Sequence, residues 1–222
     1  MIYSLFPIPV GVYTIDIPSN IDENFFNSLE DISGNHGLVT KGVSSHDTVK
    51  GNQFLLDNEQ LLEIKNQIQT CVNEYTRSVG LQPLVITGSW FNIMEPNGEV
   101  LAHQHRGSTI SGAFYVQSEA NTCPFILTNP YNDFKILDIP SEDTQFNSKE
   151  ARIDSQTGRL ILFPSYIMHR TETNISNSNR IVISFNTLPL QIVQSNKQVD
   201  LSSPHSKNSA HQTYSNTTGG KR

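Results

Sequence analysis

Cysteine is scarce in this chain: Cys71 and Cys123 are the only two among 222 residues. Two thiols build neither a disulfide scaffold nor a cysteine-type zinc site, and they fit reduced packing in a cytosolic protein. Basic charge is scarce too. Lysine and arginine total 15 against 21 acidic residues, a formal net charge of −6, which argues against a nucleic-acid partner. No apolar run approaches the ~18–20 residues needed to span a bilayer, so no membrane partner is expected. Residues 1–13 are apolar, but they lack a basic segment and are broken by Pro7 and Pro9. A secretory signal is therefore not expected, and a cytoplasmic location is.

What the chain has is a core-forming majority followed by a polar appendage. From Gln191 to Arg222 it is Ser, Asn, Gln, Thr, Lys and His, with only a few apolar residues. Such a stretch buries too little surface to offset its ordering entropy, so residues 191–222 read as a flexible tail, with His205 and His211 solvated in it. The folded domain is then residues 1–190, with a helical part over 1–82 and a β core over 83–190.

Two helices are expected in the first part. Asp22–Ile32 has an acidic first turn and places Phe25, Phe26, Leu29 and Ile32 on one side. A longer helix starts at Asp57, where Asp57 and Gln60 form a capping-box pattern. Its residues Leu61, Ile64, Ile68, Val72, Tyr75 and Val79 recur at three- and four-residue steps, and Gly80 is placed to end it. After Pro83 the period becomes that of strands: Leu84–Met94, Thr109–Gln117, Phe125–Thr128, Lys135–Ile139, Arg159–Phe163, Ile167–Thr171 and Arg180–Leu188. Turn clusters such as Pro96-Asn97-Gly98 separate them. Many short strands without intervening helices predict a mainly β sandwich or jelly roll, with the two helices covering one sheet from outside.

Chemistry concentrates in a few polar residues of these strands. His103 and His105 are two apart, so in a strand both imidazoles point to one side and can approach one metal ion. His169 lies in the apolar segment Leu160–His169, where an unpaired polar side chain costs of order 1–3 kcal/mol; a ligand role and a hydrogen bond to a backbone carbonyl both answer that need. Eleven residues on, Arg180 opens a strand whose Arg180, Val182, Ser184 and Asn186 share one face. An arginine fork beside a serine and an asparagine is suited to holding a carboxylate in bidentate fashion; the alternative is a strand-end surface arginine.

An early His-x-His, a distal His and an Arg about ten residues later resemble the order found in the Fe(II)/2-oxoglutarate-dependent dioxygenases. More narrowly, Ser89-Trp90-Phe91-Asn92, His103-Gln104-His105, Ser111-Gly112-Ala113-Phe114-Tyr115, Gly158–Ser165 and the opening Leu5–Val10 resemble a bacterial and phage group of these oxygenases. The resemblance covers residues 1–190. It implies a double-stranded β-helix, a jelly-roll variant, in the cytoplasm of a bacterium or a phage-infected host. It further implies Fe(II) bound by His103, His105 and His169, with 2-oxoglutarate as cosubstrate and O₂ as oxidant.

Arg180 would pair with the far carboxylate of 2-oxoglutarate, assisted by Tyr115, with Ser184 and Asn92 as further cosubstrate-binding residues. The implied reaction decarboxylates 2-oxoglutarate to succinate and CO₂ while hydroxylating a C–H bond of a small-molecule or peptidyl substrate, as prolyl hydroxylases do. His105 departs from the commoner pattern, which has a carboxylate there. A two-histidine site completed by water, a carboxylate from Glu99, or another metal are the alternatives. Trp90 reads as core packing, with a substrate platform as the alternative, and His36 and His46 fall in a Gly- and Ser-rich stretch, Gly34–Gly51, expected to be a solvent-exposed loop, with closure over the site as the alternative. Two rivals of other classes are a non-catalytic jelly-roll binding module and a three-histidine metal enzyme that does not use 2-oxoglutarate.

Overall fold

The computed structural model describes residues 6–29, 38–46, 53–132, 142, 144 and 146–198. Among the described residues there are nine strands: β1 (Gly11–Thr14), β2 (Gly42–Ser44), β3 (Leu84–Met94), β4 (Ile110–Gln117), β5 (Phe125–Thr128), β6 (Glu150–Ile153), β7 (Arg159–Pro164), β8 (His169–Thr171) and β9 (Arg180–Pro189). Six form one antiparallel sheet in the order β1-β7-β4-β9-β3-β2, and three form a second in the order β6-β5-β8.

The period of two sorts each strand's residues between two cores. Ile110, Phe114 and Val116 of β4, Leu160 and Leu162 of β7, and Ile181, Ile183 and Phe185 of β9 join the larger core. That core also takes Phe25 and Phe26 of α1 (Glu23–Ser28) and Ile64, Ile68 and Val72 of α2 (Leu62–Val79). The two helices thus cover the outside of the larger sheet, as the pattern predicts. The opposite faces, carrying Ala113, Tyr115, Ile161, Phe163 and Val182, pack with Phe125 and Leu127 of β5 in a core between the sheets. This is the mainly β jelly-roll layout expected from the sequence.

Local details depart from the expectation. The first helix stops at Ser28, because Leu29 is already extended (ψ 122°) and its N–H donates to the Phe26 carbonyl. The Asp57–Gln60 capping box does not form. Instead Asn58 accepts from the Gln60 N–H and starts a short 3₁₀ turn, Glu59–Leu61, that leads into α2, while Asp57 pairs with Lys65 at 2.5 Å. Gly80 does end α2, in the left-handed region (φ 73°). Strands β1, β2 and β6 have three or four residues each and too little alternation to be visible. The expected strand Lys135–Ile139 lies outside the described residues, as do His36, His205 and His211.

The stretch read as an unstructured tail begins in a helix, α3 (Leu190–Gln198). Among the described residues no helix is long and apolar enough to cross a membrane. Cys71 and Cys123 are unpaired thiols.

Candidate metal centre

A cavity of about 320 Å³ opens into the inter-sheet face of the larger sheet. Its wall includes His103, His105 and His169, and also Asn92, Ser184 and Arg180. The structure therefore brings together six of the seven residues singled out from the sequence. The seventh, Tyr115, is fully buried and lies behind Arg180 rather than on the wall.

Backbone pairing brings the histidines together. His103 and His169 form an antiparallel bridge, each N–H donating to the other's carbonyl at 2.9 Å. The His105 N–H donates to the Ser165 carbonyl at 3.0 Å, fixing the second histidine beside the same segment. One ligand nitrogen from each ring lies within 4.8 Å of the other two. Among the described residues no carboxylate joins this cluster, and Glu99 is not part of it.

The hydrogen bonds determine which nitrogen each ring offers. His103 Nδ1 lies 2.8 Å from the Leu101 carbonyl, and His169 Nδ1 lies 3.0 Å from the Ile167 carbonyl. A carbonyl only accepts, so both Nδ1 atoms carry the proton and both Nε2 lone pairs remain open. His105 Nδ1 lies 2.8 Å from Asn186 Oδ1 and 2.8 Å from Ser111 Oγ. The Asn186 oxygen also accepts from Ser111 at 2.7 Å, and Ser165 Oγ is 2.8 Å from Ser111 Oγ. The Asn186 oxygen has no proton to give, so His105 too is protonated at Nδ1. Outer partners that fix the tautomer in this way are what a histidine metal site requires.

Electrostatics keep the rings neutral. Burial, helped by the neighbouring His103 ring, pushes His105 down to about 4 and His169 down to about 3. Burial also lowers His103. At neutral pH all three imidazoles are unprotonated at Nε2, the form that binds a metal.

Arg180 is 4% exposed, and among the described residues its Nε has no hydrogen-bond partner. Its guanidinium carbon sits 4.7 Å from the centroid of the Tyr115 ring, whose buried hydroxyl is likewise unpartnered. No carboxylate among the described residues pairs with it. Burying a cation without a counter-charge is costly, so this wall is built to receive an anion. Asn92 Nδ2 donates to Ser184 Oγ at 3.3 Å across β3 and β9, a polar pair on the same wall. A divalent ion on the histidines and a dicarboxylate reaching Arg180 fit the groups present.

Two residues join the wall against the favoured reading of each. Trp90 is buried but lines the cavity, edge-on to His46 at 4.7 Å and 5.5 Å from the His105 ring. His46, expected in solvent, is half-buried in the same wall, because β2 pairs with β3 and draws its flank inward. The pairing needs Gly42: with φ 127°, a Cβ there would stand 2.1 Å from the Ile93 carbonyl oxygen.

Residues 88–186 match the model of a family described as "Putative 2OG-Fe(II) oxygenase". No curated protein matches the chain. Among solved structures, the chain is similar to a prolyl hydroxylase from Trichoplax adhaerens, solved in complex with a hypoxia inducible factor peptide fragment. The identity is 12% and the TM-score 0.52, over 82% of this chain and 84% of that one. It is also similar to HygX from Streptomyces hygroscopicus, solved with nickel and 2-oxoglutarate bound, at 12% identity and a TM-score of 0.51 over 82% and 84%. An oxidoreductase of the 2OG-Fe(II) oxygenase family from Burkholderia pseudomallei aligns over 60% of this chain at 11% identity and a TM-score of 0.41. The chain spans about half, 54%, of that protein's length.

The first two likenesses show the double-stranded β-helix fold expected from the sequence. The family match covers residues 88–186, under half of the chain, and is to a class of oxygenases, the 2-oxoglutarate-dependent ones. Fe(II) and 2-oxoglutarate are the metal and cosubstrate of that class.

Proposed function

We propose that residues 1–190 form an Fe(II)- and 2-oxoglutarate-dependent hydroxylase that acts on a peptidyl side chain or a small molecule of similar size. His103, His105 and His169 hold the metal through Nε2, and Arg180 receives the far carboxylate of 2-oxoglutarate. Tyr115 positions the guanidinium from behind, and Asn92 and Ser184 hydrogen-bond the bound cosubstrate. When bound, Fe(II) supplies the O₂ chemistry that couples decarboxylation of 2-oxoglutarate to C–H hydroxylation. The protein's share is to hold neutral ligands in place, orient the dicarboxylate and keep water from the cavity.

The observation that carries this reading is the buried Arg180, which has no carboxylate partner among the described residues, on the same wall as three converging histidines. A merely structural arginine would have an acidic partner. A peptidyl substrate is favoured by the likeness to a prolyl hydroxylase solved with a peptide. Two unpaired thiols and an acidic balance support a reducing, cytoplasmic setting in a bacterium or a phage-infected host.

Anaerobic titration of the metal-free protein with Fe(II), then with 2-oxoglutarate, tests the reading. One metal per chain and a visible charge-transfer band on adding 2-oxoglutarate are expected. Metal uptake without that band would favour a three-histidine enzyme of another kind, and no metal uptake would favour a binding module.

A further inference from the structure

Among the described residues the cavity wall carries Arg106, Arg170 and Arg180 and not one Asp or Glu, although acidic residues outnumber basic ones in the chain. Arg170 is neutralised by Glu150, whose carboxylate lies 3.0 Å from Nη2. Arg180 is the cosubstrate anchor of the proposed function. Arg106 is left over. It is exposed at the rim, and no carboxylate among the described residues pairs with it.

Arg106 is nonetheless held in place. Gln104, between His103 and His105, faces the Tyr166 carbonyl on one side and Arg106 on the other, and its amide satisfies both when turned so that Nε2 donates to the Tyr166 carbonyl at 3.1 Å and Oε1 accepts from Arg106 Nε at 3.2 Å and Nη2 at 3.3 Å. An uncharged acceptor orients the guanidinium without cancelling its charge, which a surface arginine serving solubility would not need.

The charge balance points the same way. A divalent metal on three neutral histidines, together with Arg180, outweighs a 2-oxoglutarate dianion by one positive charge, because His105 stands where a carboxylate would have cancelled it. Arg106 adds a second. We infer that the primary substrate bears a carboxylate or phosphate group, and that Arg106, oriented by Gln104, binds it at the cavity rim. This rests on the proposed function and makes Arg106 a determinant of specificity.

Trp90, the only tryptophan, lies in the cavity wall, so its fluorescence reads occupancy there. The test uses the full chain loaded with zinc(II) and saturating 2-oxoglutarate. It is titrated with N-acetylglutamate α-amide, N-acetylphosphoserine amide and the neutral N-acetylglutamine amide, which separates carboxylate from phosphate as the source of charge. At least one anionic probe binds, the neutral amide binds more weakly, and added salt weakens the anion. Arg106→Gln lowers affinity for the anion at least about tenfold, the scale of one lost charge-assisted contact. Gln104→Ala falls between, and both variants retain 2-oxoglutarate affinity.

If neither anion binds, if the neutral amide binds as well, or if Arg106→Gln binds like wild type, this inference is overturned while the metal and cosubstrate reading stands. If the wild type takes up no 2-oxoglutarate, the proposed function falls and this inference with it.

Discussion

The ring of Tyr115 underlies the guanidinium of Arg180, with 4.7 Å between the guanidinium carbon and the ring centroid. A π face attracts a cation without neutralising it. The arginine is therefore held in a buried place with its charge unspent, where a paired carboxylate would have consumed it. Tyr115 and Arg180 stand on neighbouring strands, β4 and β9, paired through the Tyr115–Val182 register.

Arg180→Ala should weaken 2-oxoglutarate binding by roughly 30-fold to several thousand-fold, the about 2–5 kcal/mol lost when one partner of a buried charge pair is truncated. Metal uptake should be retained. Arg180→Lys should fall between, since an ammonium cannot reproduce the fork. Calorimetric titration of the metal-loaded variants checks this, and wild-type affinity in the alanine variant would remove Arg180 as the anchor.

His169→Ala should abolish stoichiometric metal binding with little change in far-UV circular dichroism, since one of three nitrogens is lost at the edge of the core. His105→Asp should still bind Fe(II), because two histidines and a carboxylate are a set iron accepts. Asn186→Leu should cost about 10- to 100-fold in metal affinity by releasing the His105 ring. Metal analysis after gel filtration separates these outcomes.

The histidines also make stability depend on pH. In the folded state His105 lies at about 4 and His169 at about 3, both below the ordinary value of 6.5. As pH falls below 6.5 the unfolded chain takes up these protons first, so the metal-free protein loses stability progressively toward pH 4 and below. Melting temperature measured from pH 7.5 to 5 should fall, and His105→Gln/His169→Gln should flatten the part of that fall between pH 6.5 and 5. An equal slope in the double variant would assign the effect to other groups.

Gly112 packs closely against Phe185 in the larger core. A Cβ there would stand 2.1 Å from Cζ of Phe185 and 2.4 Å from Cε1, and Phe185 is fully buried. Gly112→Ala should destabilise by about 1–3 kcal/mol as the ring is forced aside. Gly112→Ala/Phe185→Leu should recover part of the loss, read as the urea midpoint.

The faces of β4 and β9 were legible in the sequence because a period of two leaves little choice once one face is buried. Ser111, Ala113 and Tyr115, and Arg180, Val182, Ser184 and Asn186, all lie on the expected sides. The convergence of His103, His105 and His169 followed from spacing and family resemblance together. Asn186 was visible as a neighbour of Arg180 on its strand face, but not as the partner of His105, because that contact depends on the β4–β9 register. The place of His46 depended on β2, a three-residue strand with no pattern of its own, whereas Trp90 shares its face of β3 with Asn92. The capping box failed for a local reason, since Asn58, one residue later, offers an equally good acceptor.

The mutual backbone bridge between His103 and His169 joins segments remote in the chain, and so bears on folding kinetics. Neither nitrogen can meet the other until β5 and β8 have closed onto the segment after β3, which makes the metal site a late product of long-range closure. An ion captured there acts as a cross-link on the native state alone. It should slow unfolding far more than it speeds folding, and tie the protein's lifetime to the metal supply.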